Sequence, residues 1–218
     1  VTQVGSDTLV NRIKNGSLHF SDKNGDEGFT IAELQGQDFV LEFDYILKSE
    51  DENSHIIVKY RLEENKSDVV KLNPNDFGLQ GRSNTYPVKI APDQIYHFQI
   101  LVLQDRTVIF INKNLIEYSD VSTPASGTGI EFGVHAEPGF DASLDNIKFW
   151  NLETFNSSVV VAPPTATALI PPSTLEAAPA FYEPILAYIE SKRPSFEDDF
   201  STENTLWGDV ISKQRKEF

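Results

Sequence analysis

Three side chains capable of proton exchange lie close together in one segment of the chain. Glu131, His135 and Glu137 share a face if that segment is a β-strand, because every second side chain of a strand points to the same side. Carboxylates beside an imidazole suit general acid–base chemistry or the binding of a polar ligand. The same spacing is typical of a solvated strand face, and we favour this second interpretation.

A second set of side chains has the chemistry of a carbohydrate site, which combines flat surfaces with a few polar groups that fix orientation. The alternation of side chains along the expected strands places such residues on a polar face of a sheet. These candidate ligand residues are Tyr60, Lys59, Arg61, Asp44 and His135. The alternative interpretation of each is a structural or merely solvated side chain.

Carboxylates at two distant places in the sequence could hold a calcium ion, which prefers oxygen ligands. Asp145, Asp198 and Asp199 form a candidate Ca²⁺ site if the segments that contain them meet. The same side chains could instead cap turns by accepting backbone hydrogen bonds. Residues 22–28 also resemble a calcium loop, although their Asn-Gly pair favours a plain hairpin. We therefore expect no cofactor beyond a structural Ca²⁺ ion.

The overall composition narrows the class of protein. The 218 residues carry a net charge of −15, which argues against nucleic acid and anionic membrane surfaces as partners. No apolar run approaches the ~18 residues of a membrane-spanning helix, so we expect no membrane insertion. The absence of cysteine excludes disulfides, thiolate metal sites and cysteine nucleophiles.

The elements that position these side chains are predicted from alternating apolar and polar residues. Phe39, Leu41 and Phe43 alternate with mixed neighbours, as a half-buried strand requires. Roughly ten such segments, separated by turns rich in Asn, Asp, Gly and Pro, predict an all-β protein. We expect a two-sheet antiparallel jelly-roll sandwich over residues 1–153 that lacks its opening strand.

The chain changes character after the sandwich. Residues 154–182 are rich in Pro, Thr and Ala, which predicts an extended linker. An apolar stripe that includes Ile185 predicts a short helix over residues 183–194. Residues 195–218 contain the run FEDDFS, which has the pattern of the opening strand of a sandwich although it stands near the end of this chain.

Three segments carry a resemblance to a known family. They are FEDDFS with Trp207 after it, the hairpin YHFQILVLQDRTVIFINKNLIEYSD, and the closing strand LDNIKFW at Leu144–Trp150. Together they resemble the concanavalin A-like, laminin G-like jelly-roll modules of bacterial extracellular proteins, in particular the DUF1080-type, 3-keto-disaccharide hydrolase-like superfamily. The resemblance implies an extracellular or cell-surface location. It also implies that the opening strand lies beside the closing strand.

A displaced opening strand suggests that modules are completed by strand donation. The residues concerned are, on the donated strand, Phe196, Asp198, Asp199, Phe200 and Trp207, and, on the acceptor strand, Leu144, Asp145, Ile147, Phe149 and Trp150. Burial of the two Phe side chains would stabilise the joint by several kcal/mol. Three closures are compatible with the sequence: the strand returns to its own domain, enters a neighbouring copy, or belongs to the next repeat of an array.

We expect a non-catalytic structural protein that assembles head to tail with copies of itself. The alternative is a carbohydrate-binding module that binds a polysaccharide. A glycoside-processing enzyme is less favoured, because Glu42-Phe43-Asp44 lacks the third carboxylate of the Glu-x-Asp-x-x-Glu run that glycosidases of the resembled fold use. Asn15, Asn65 and Asn156 stand in N-x-Ser sequons and are candidate glycosylation sites.

Overall fold

The fold consists mainly of antiparallel β-strands. A computed structural model describes residues 13–14, 16–21, 27–49, 54–63, 66–72, 77–79, 85–86, 90–121, 123–135, 137–155 and 174–201. The strands are β1 (Ile13–Lys14), β2 (Ser17–Ser21), β3 (Glu27–Gln35), β4 (Phe39–Ser49), β5 (His55–Glu63), β6 (Lys66–Leu72), β7 (Phe77–Leu79), β8 (Thr85–Tyr86), β9 (Ile95–Leu103), β10 (Arg106–Ile111), β11 (Asn114–Asp120), β12 (Gly129–His135), β13 (Asp141–Asn151) and β14 (Phe196–Asp198). The helix α1 covers Thr174–Glu190.

The strands form two sheets that face each other. The eight-stranded sheet has the order β1-β2-β13-β4-β9-β10-β11, with β14 also paired to β13. The six-stranded sheet has the order β3-β12-β5-β6-β7-β8. Every pairing between these strands is antiparallel. The prediction of an all-β, two-sheet antiparallel jelly-roll sandwich is confirmed.

The main hydrophobic core fills the space between the two sheets. Alternate residues of β4, such as Leu41 and Phe43, are fully buried there, and Val58 and Phe132 meet them from the other sheet. The rings of Phe43 and Phe132 lie edge to face at 5.8 Å. Because one face of each central strand is committed to this core, the residues between the buried ones are available for the outer surfaces.

Helix α1 packs on the outer face of the eight-stranded sheet. Its buried residues recur every three or four positions, as one stripe of an amphipathic helix requires. They are Ala178, Phe181, Ile185 and Ile189. They join a second hydrophobic cluster with side chains of the sheet that point away from the main core, including Val40, Leu101 and Trp150.

The helix is longer than the sequence predicts. It begins at Thr174 rather than at residue 183, so it includes part of the segment expected to be an extended linker. Two prolines, Pro179 and Pro184, lie inside it, and proline is unfavourable within a helix because it removes a hydrogen bond. Packing of the apolar stripe against the sheet opposes this cost, and that packing is a tertiary effect that the local sequence does not reveal.

The C-terminal strand returns to the sandwich of its own chain. Ile147 pairs with Asp198 and Phe149 with Phe196, so β14 lies beside the closing strand β13. Phe196 and Phe200 are 7% and 3% exposed and belong to the main core. Of the three closures compatible with the sequence, the structure shows the first for a single chain.

Several predicted features lie outside the described residues. They are Trp207, the three sequon residues Asn15, Asn65 and Asn156, and most of the calcium-like loop at residues 22–28. Among the described helical residues, no helix is long and apolar enough to cross a membrane.

Candidate functional site

Five polar side chains from three neighbouring strands meet on the outer face of the eight-stranded sheet. They are Glu42 and Asp44 of β4, His97 and Gln99 of β9, and Asn146 of β13. We call them the Glu42–Asn146 network. The strand order β13-β4-β9 brings them together, because Asp44 stands opposite His97 and Glu42 stands opposite Gln99 in the β4–β9 ladder.

Alternation fixes the direction in which these side chains point. Phe43 and Phe98 lie between them in sequence and are fully buried in the main core, where their rings stack at 5.4 Å. Neighbouring residues of a strand point to opposite faces, so Glu42, Asp44 and His97 are directed outward. The core therefore acts as a rigid support for the polar face.

The five side chains form two hydrogen-bonded groups, Gln99 with Glu42, and His97 and Asn146 with Asp44. Gln99 Nε2 donates to Glu42 Oε1 at 2.5 Å. His97 Nδ1 lies 2.9 Å from Asp44 Oδ1, and Asn146 Nδ2 donates to Asp44 Oδ2 at 2.8 Å. Both oxygens of Asp44 are therefore engaged, and each neighbour restrains the rotamer of the next.

The position of His97 is fixed from two sides. Its backbone N–H donates to Asn112 Oδ1 at 2.9 Å, in the turn between β10 and β11. An ionised carboxylate is an acceptor, so the contact with Asp44 places a proton on Nδ1. The other ring nitrogen, Nε2, lies 3.9 Å from Glu42 Oε2. The imidazole thus spans the space between the two carboxylates of β4.

The carboxylates of the network are less exposed than its imidazole and its outer amide. The carboxylate side chains of Glu42 and Asp44 are 15% and 18% exposed, whereas the ring of His97 is 40% exposed. Asn146 is exposed, in a left-handed backbone conformation with φ 50°. A ligand on this surface would meet imidazole and amide groups first, with the carboxylates held beneath them.

A neighbouring carboxyl group adds to the negative potential of this face. Burial raises the pKa of Asp145 above its usual value, and the charges of Asp44 and Asp199 raise it further. The backbone N–H of Asn146 opposes this rise by donating to Asp145 Oδ1 at 2.7 Å. Asp145 stands opposite Asp44 in the β13–β4 ladder, so the two carboxyl groups lie on the same part of this face.

The polar groups of the network can hold a ligand by hydrogen bonds. His97 Nδ1 lies 2.9 Å from Asp44 Oδ1, and His97 Nε2 lies 3.9 Å from Glu42 Oε2. The amides of Gln99 and Asn146 add donors and acceptors, which is the chemistry of recognition.

The prediction that Tyr60 is a ligand platform needs correction. Tyr60 is fully buried, because it shares the inward face of β5 with Ile56 and Val58. Its hydroxyl lies 3.0 Å from Thr107 Oγ1 and so joins the two sheets through the interior. A ligand at the surface therefore cannot reach this ring.

Arg61 also has a structural position rather than a ligand-binding one. Its side chain is 3% exposed and faces two carboxylates, Asp38 at 3.3 Å and Asp68 at 3.5 Å. It donates to the carbonyl oxygens of Gln37 and Gln104 as well. The guanidinium is thus fully engaged in tying strand ends together, and its φ of 52° interrupts the regular alternation of β5.

The other candidates are divided between the two sheets. Lys59 and His135 lie on the outer face of the six-stranded sheet, whereas Asp44 lies on the eight-stranded one. Lys59 Nζ is 2.5 Å from Glu131 Oε1, and His135 Nε2 is 3.6 Å from Glu137 Oε1. His135 and Glu137 are therefore close to each other, whereas Glu131 is paired with a lysine rather than with the imidazole.

The geometry of the calcium candidates favours turn capping. Asp198 is 7% exposed, and its Oδ1 accepts the backbone N–H of Phe200 at 2.7 Å. Asp199 Oδ1 accepts the backbone N–H of Ser201 at 3.0 Å. Within the described ranges, no group of three or more His, Asp or Glu side chains is arranged to hold a metal ion. The Ca²⁺ site therefore stays a prediction, and turn capping is the role that the structure shows for Asp198 and Asp199.

Sequence reasoning missed His97 and Gln99. Both stand at outward positions of β9, on either side of the buried Phe98. Their alternation was a usable signal, but their partners Glu42 and Asp44 lie more than fifty positions away. Only the order of the strands shows that these groups meet.

Comparison with known proteins supports the fold. No family model and no curated protein matches the sequence. Among solved structures, the fold is similar to a sialidase with 12% identity over 63% of this chain and 15% of that one, at a TM-score of 0.51. A carbohydrate-binding module from Bacillus subtilis shows 16% identity over 57% of this chain and 81% of that one, at a TM-score of 0.46. A Caenorhabditis elegans galectin shows 13% identity over 58% and 94% of the two chains, at a TM-score of 0.39.

The similarity to the sialidase supports the two-sheet sandwich fold alone. No family model supports the more specific resemblance to the DUF1080-type superfamily. The chain spans 15% of the sialidase, so the similarity to that protein concerns one part of it.

Proposed function

We propose that the protein is a non-catalytic carbohydrate-binding module that holds a neutral polysaccharide at the Glu42–Asn146 network. The observation that carries this proposal is the set of three hydrogen bonds, of 2.5–2.9 Å, that hold amide, imidazole and carboxylate groups beside one another on three neighbouring strands. Sugar hydroxyls both donate and accept hydrogen bonds, and this surface offers both kinds of partner.

Preorganisation favours binding at this place. Ordering a rotamer-rich side chain on binding costs about 0.5–1.5 kcal/mol, and side chains already restrained avoid much of that cost. Glu42 and Asp44 are restrained by Gln99, His97 and Asn146 before any ligand arrives. The sheet beneath them is fixed by the core.

The charge of the surface favours a neutral ligand. Glu42, Asp44 and Asp145 lie on one face of a chain whose net charge is −15. Like-charge contacts disfavour uronate or sulfate groups, and they lower the rate of encounter with polyanions. We therefore expect binding to neutral glucans, xylans or mannans in preference to alginate. The extracellular or surface location expected from the sequence is part of the same proposal.

Affinity electrophoresis tests this function. The wild-type chain should be retarded in gels that contain at least one neutral polysaccharide. Asp44→Ala should lower the affinity by about 10-fold or more, since hydrogen bonds to charged groups are worth about 1.5–3 kcal/mol. Asp120→Ala is the matched control, because its exposed carboxylate on β11 pairs with Arg106 outside the network.

Two results would contradict the proposal. The first is the absence of retardation in every neutral polysaccharide, with the folded state verified by circular dichroism. The second is a retardation that Asp44→Ala and Asp120→Ala reduce equally, because that would separate binding from the network.

A further inference from the structure

The edge of the eight-stranded sheet beside β13 is assembled from two pieces that come from opposite ends of the described chain. β2 pairs with the first part of β13, where Leu18 stands opposite Leu144. β14 pairs with a later part, where Asp198 stands opposite Ile147. Both pieces are antiparallel to β13, so they run in the same direction, one after the other.

The two pieces meet end to end. A Cβ atom at Gly16, just before β2, would stand 3.7 Å from the carbonyl oxygen of Phe200. The C-terminal piece thus fills the position of the strand that would precede β2 in a continuous edge. We call the position that the C-terminal piece fills beside β13 the slot. The C-terminal piece is not covalently continuous with β2, and its sequence is the one that the structure shows to fit the slot.

The slot and the adjoining sheet surface bind a unit that we call the C-terminal arm, residues 174–201. Phe196 and Phe200 enter the main core, and the apolar stripe of α1 covers the sheet around Trp150. Two hydrogen bonds to β13 also fix the position of the arm. The Ser195 N–H donates to the carbonyl oxygen of Phe149 at 2.7 Å, and Trp150 Nε1 donates to the carbonyl oxygen of Lys192 at 3.3 Å.

The connection between the arm and the sandwich is long. Residues 156–173 join Phe155 to the start of α1, and their composition is rich in Pro, Thr, Ala and Val. A chain extends by at most ~3.3–3.6 Å per residue, so this stretch sets an upper limit of about 60 Å on the reach of the arm.

We propose that the C-terminal arm of one copy docks in the slot of a second copy, with the same contacts that it makes in its own sandwich. Exchange of an identical element is a low-cost route to association, because no new interface has to be formed. When each arm enters the next copy, the contact is head to tail and extends into a chain of modules. The ligand-binding proposal is independent of this one.

Mass action decides when exchange occurs. A segment tethered to its own binding site competes for that site at an effective concentration typically on the order of millimolar. Exchange therefore increases when the protein approaches that concentration in solution, or when copies are crowded together on a surface. In dilute solution the arm remains in its own sandwich.

Disulfide trapping tests the exchange. Because the chain contains no cysteine, the introduced thiols are the only ones that can form a disulfide. Lys148 on β13 and Glu197 on β14 stand opposite each other, with their charged atoms 3.4 Å apart. Opposed residues of antiparallel strands lie within the Cα separation that a disulfide requires. One full-length chain carries Lys148→Cys and a second, differently tagged, carries Glu197→Cys.

The two single-cysteine chains are mixed in equal amounts at high concentration and oxidised. Arm exchange predicts a mixed dimer several-fold above the share expected from random pairing of thiols. The control replaces Lys148→Cys by Lys48→Cys, an exposed residue of β4 whose partner is Asp93 rather than the arm. That mixture should give the random share.

A mixed dimer at or below the random share, including no dimer at all, would overturn the proposal. Because a cysteine at position 197 could weaken the arm itself, the same mixture is examined by amide hydrogen exchange. Protection of the β14 amides shows that the arm is docked in the variant, so that the yield of mixed dimer reports on exchange.

Discussion

Replacing Phe196 by alanine tests whether the C-terminal strand is an integral part of the domain. Phe196 is 7% exposed and belongs to the main core, although β14 pairs with β13 through three residues. Truncating a buried Phe to Ala costs about 3–5 kcal/mol, from lost transfer free energy and from the cavity left behind. Whole domains are stable by roughly 5–15 kcal/mol, so this is a large fraction of the total.

Urea unfolding followed by far-UV circular dichroism measures the effect. With an m-value of about 2 kcal/mol per molar urea, the midpoint of Phe196→Ala should fall by roughly 1.5–2.5 M. Glu197→Ala is the matched control on the same strand. Its side chain is 56% exposed and pairs with Lys148 at 3.4 Å, and such surface pairs contribute about 0–1 kcal/mol.

The comparison of the two variants decides the matter. A midpoint for Phe196→Ala that equals that of Glu197→Ala would refute the reasoning, because a ring in the core cannot cost as little as a surface ion pair. The account also requires that Phe200→Ala behaves like Phe196→Ala, since Phe200 is 3% exposed in the same core.

Two further substitutions test the electrostatics. Arg61→Ala should destabilise the fold by about 3–5 kcal/mol, because Asp38 and Asp68 lose the buried guanidinium that pairs with them. The control Lys48→Ala removes an exposed ion pair and should cost about 0–1 kcal/mol. Equal urea midpoints for the two variants would contradict this prediction. Asp145→Asn should raise stability near neutral pH. A carboxyl with a raised folded pKa stabilises the fold below its unfolded pKa of 3.8, and that contribution is lost as the pH rises through the folded pKa. The advantage of Asp145→Asn should therefore vanish below pH 3.8, and a pH-independent difference in urea midpoint would be evidence against this cause.

The sandwich itself could be predicted because the pattern that assigns each strand lies within that strand's own sequence. Alternation in segments such as Phe39–Ser49 and Ile95–Leu103 assigns strands and buried faces without knowledge of their neighbours. Alternation also places Tyr60 inward with Ile56 and Val58, so its assignment as a sugar platform conflicted with a signal already present in the sequence.

Other features depend on tertiary structure and could not be predicted in this way. The start of α1 at Thr174 depends on a sheet surface that offsets two helix-breaking prolines. The meeting of Asp44 with His97 and Asn146 depends on the order β13-β4-β9. Arg61 departs from alternation because of its left-handed backbone and its two partly buried carboxylate partners.

The most direct test of the proposed function is to locate the ligand on the protein by NMR. The ¹⁵N-labelled full-length chain is titrated with an oligosaccharide from a neutral polysaccharide that retards it in affinity gels. The account predicts that the largest amide shifts occur at Asp44, His97 and Asn146 and neighbouring residues of β4, β9 and β13. Shifts confined to the outer face of the six-stranded sheet, around Lys59 and His135, would contradict it.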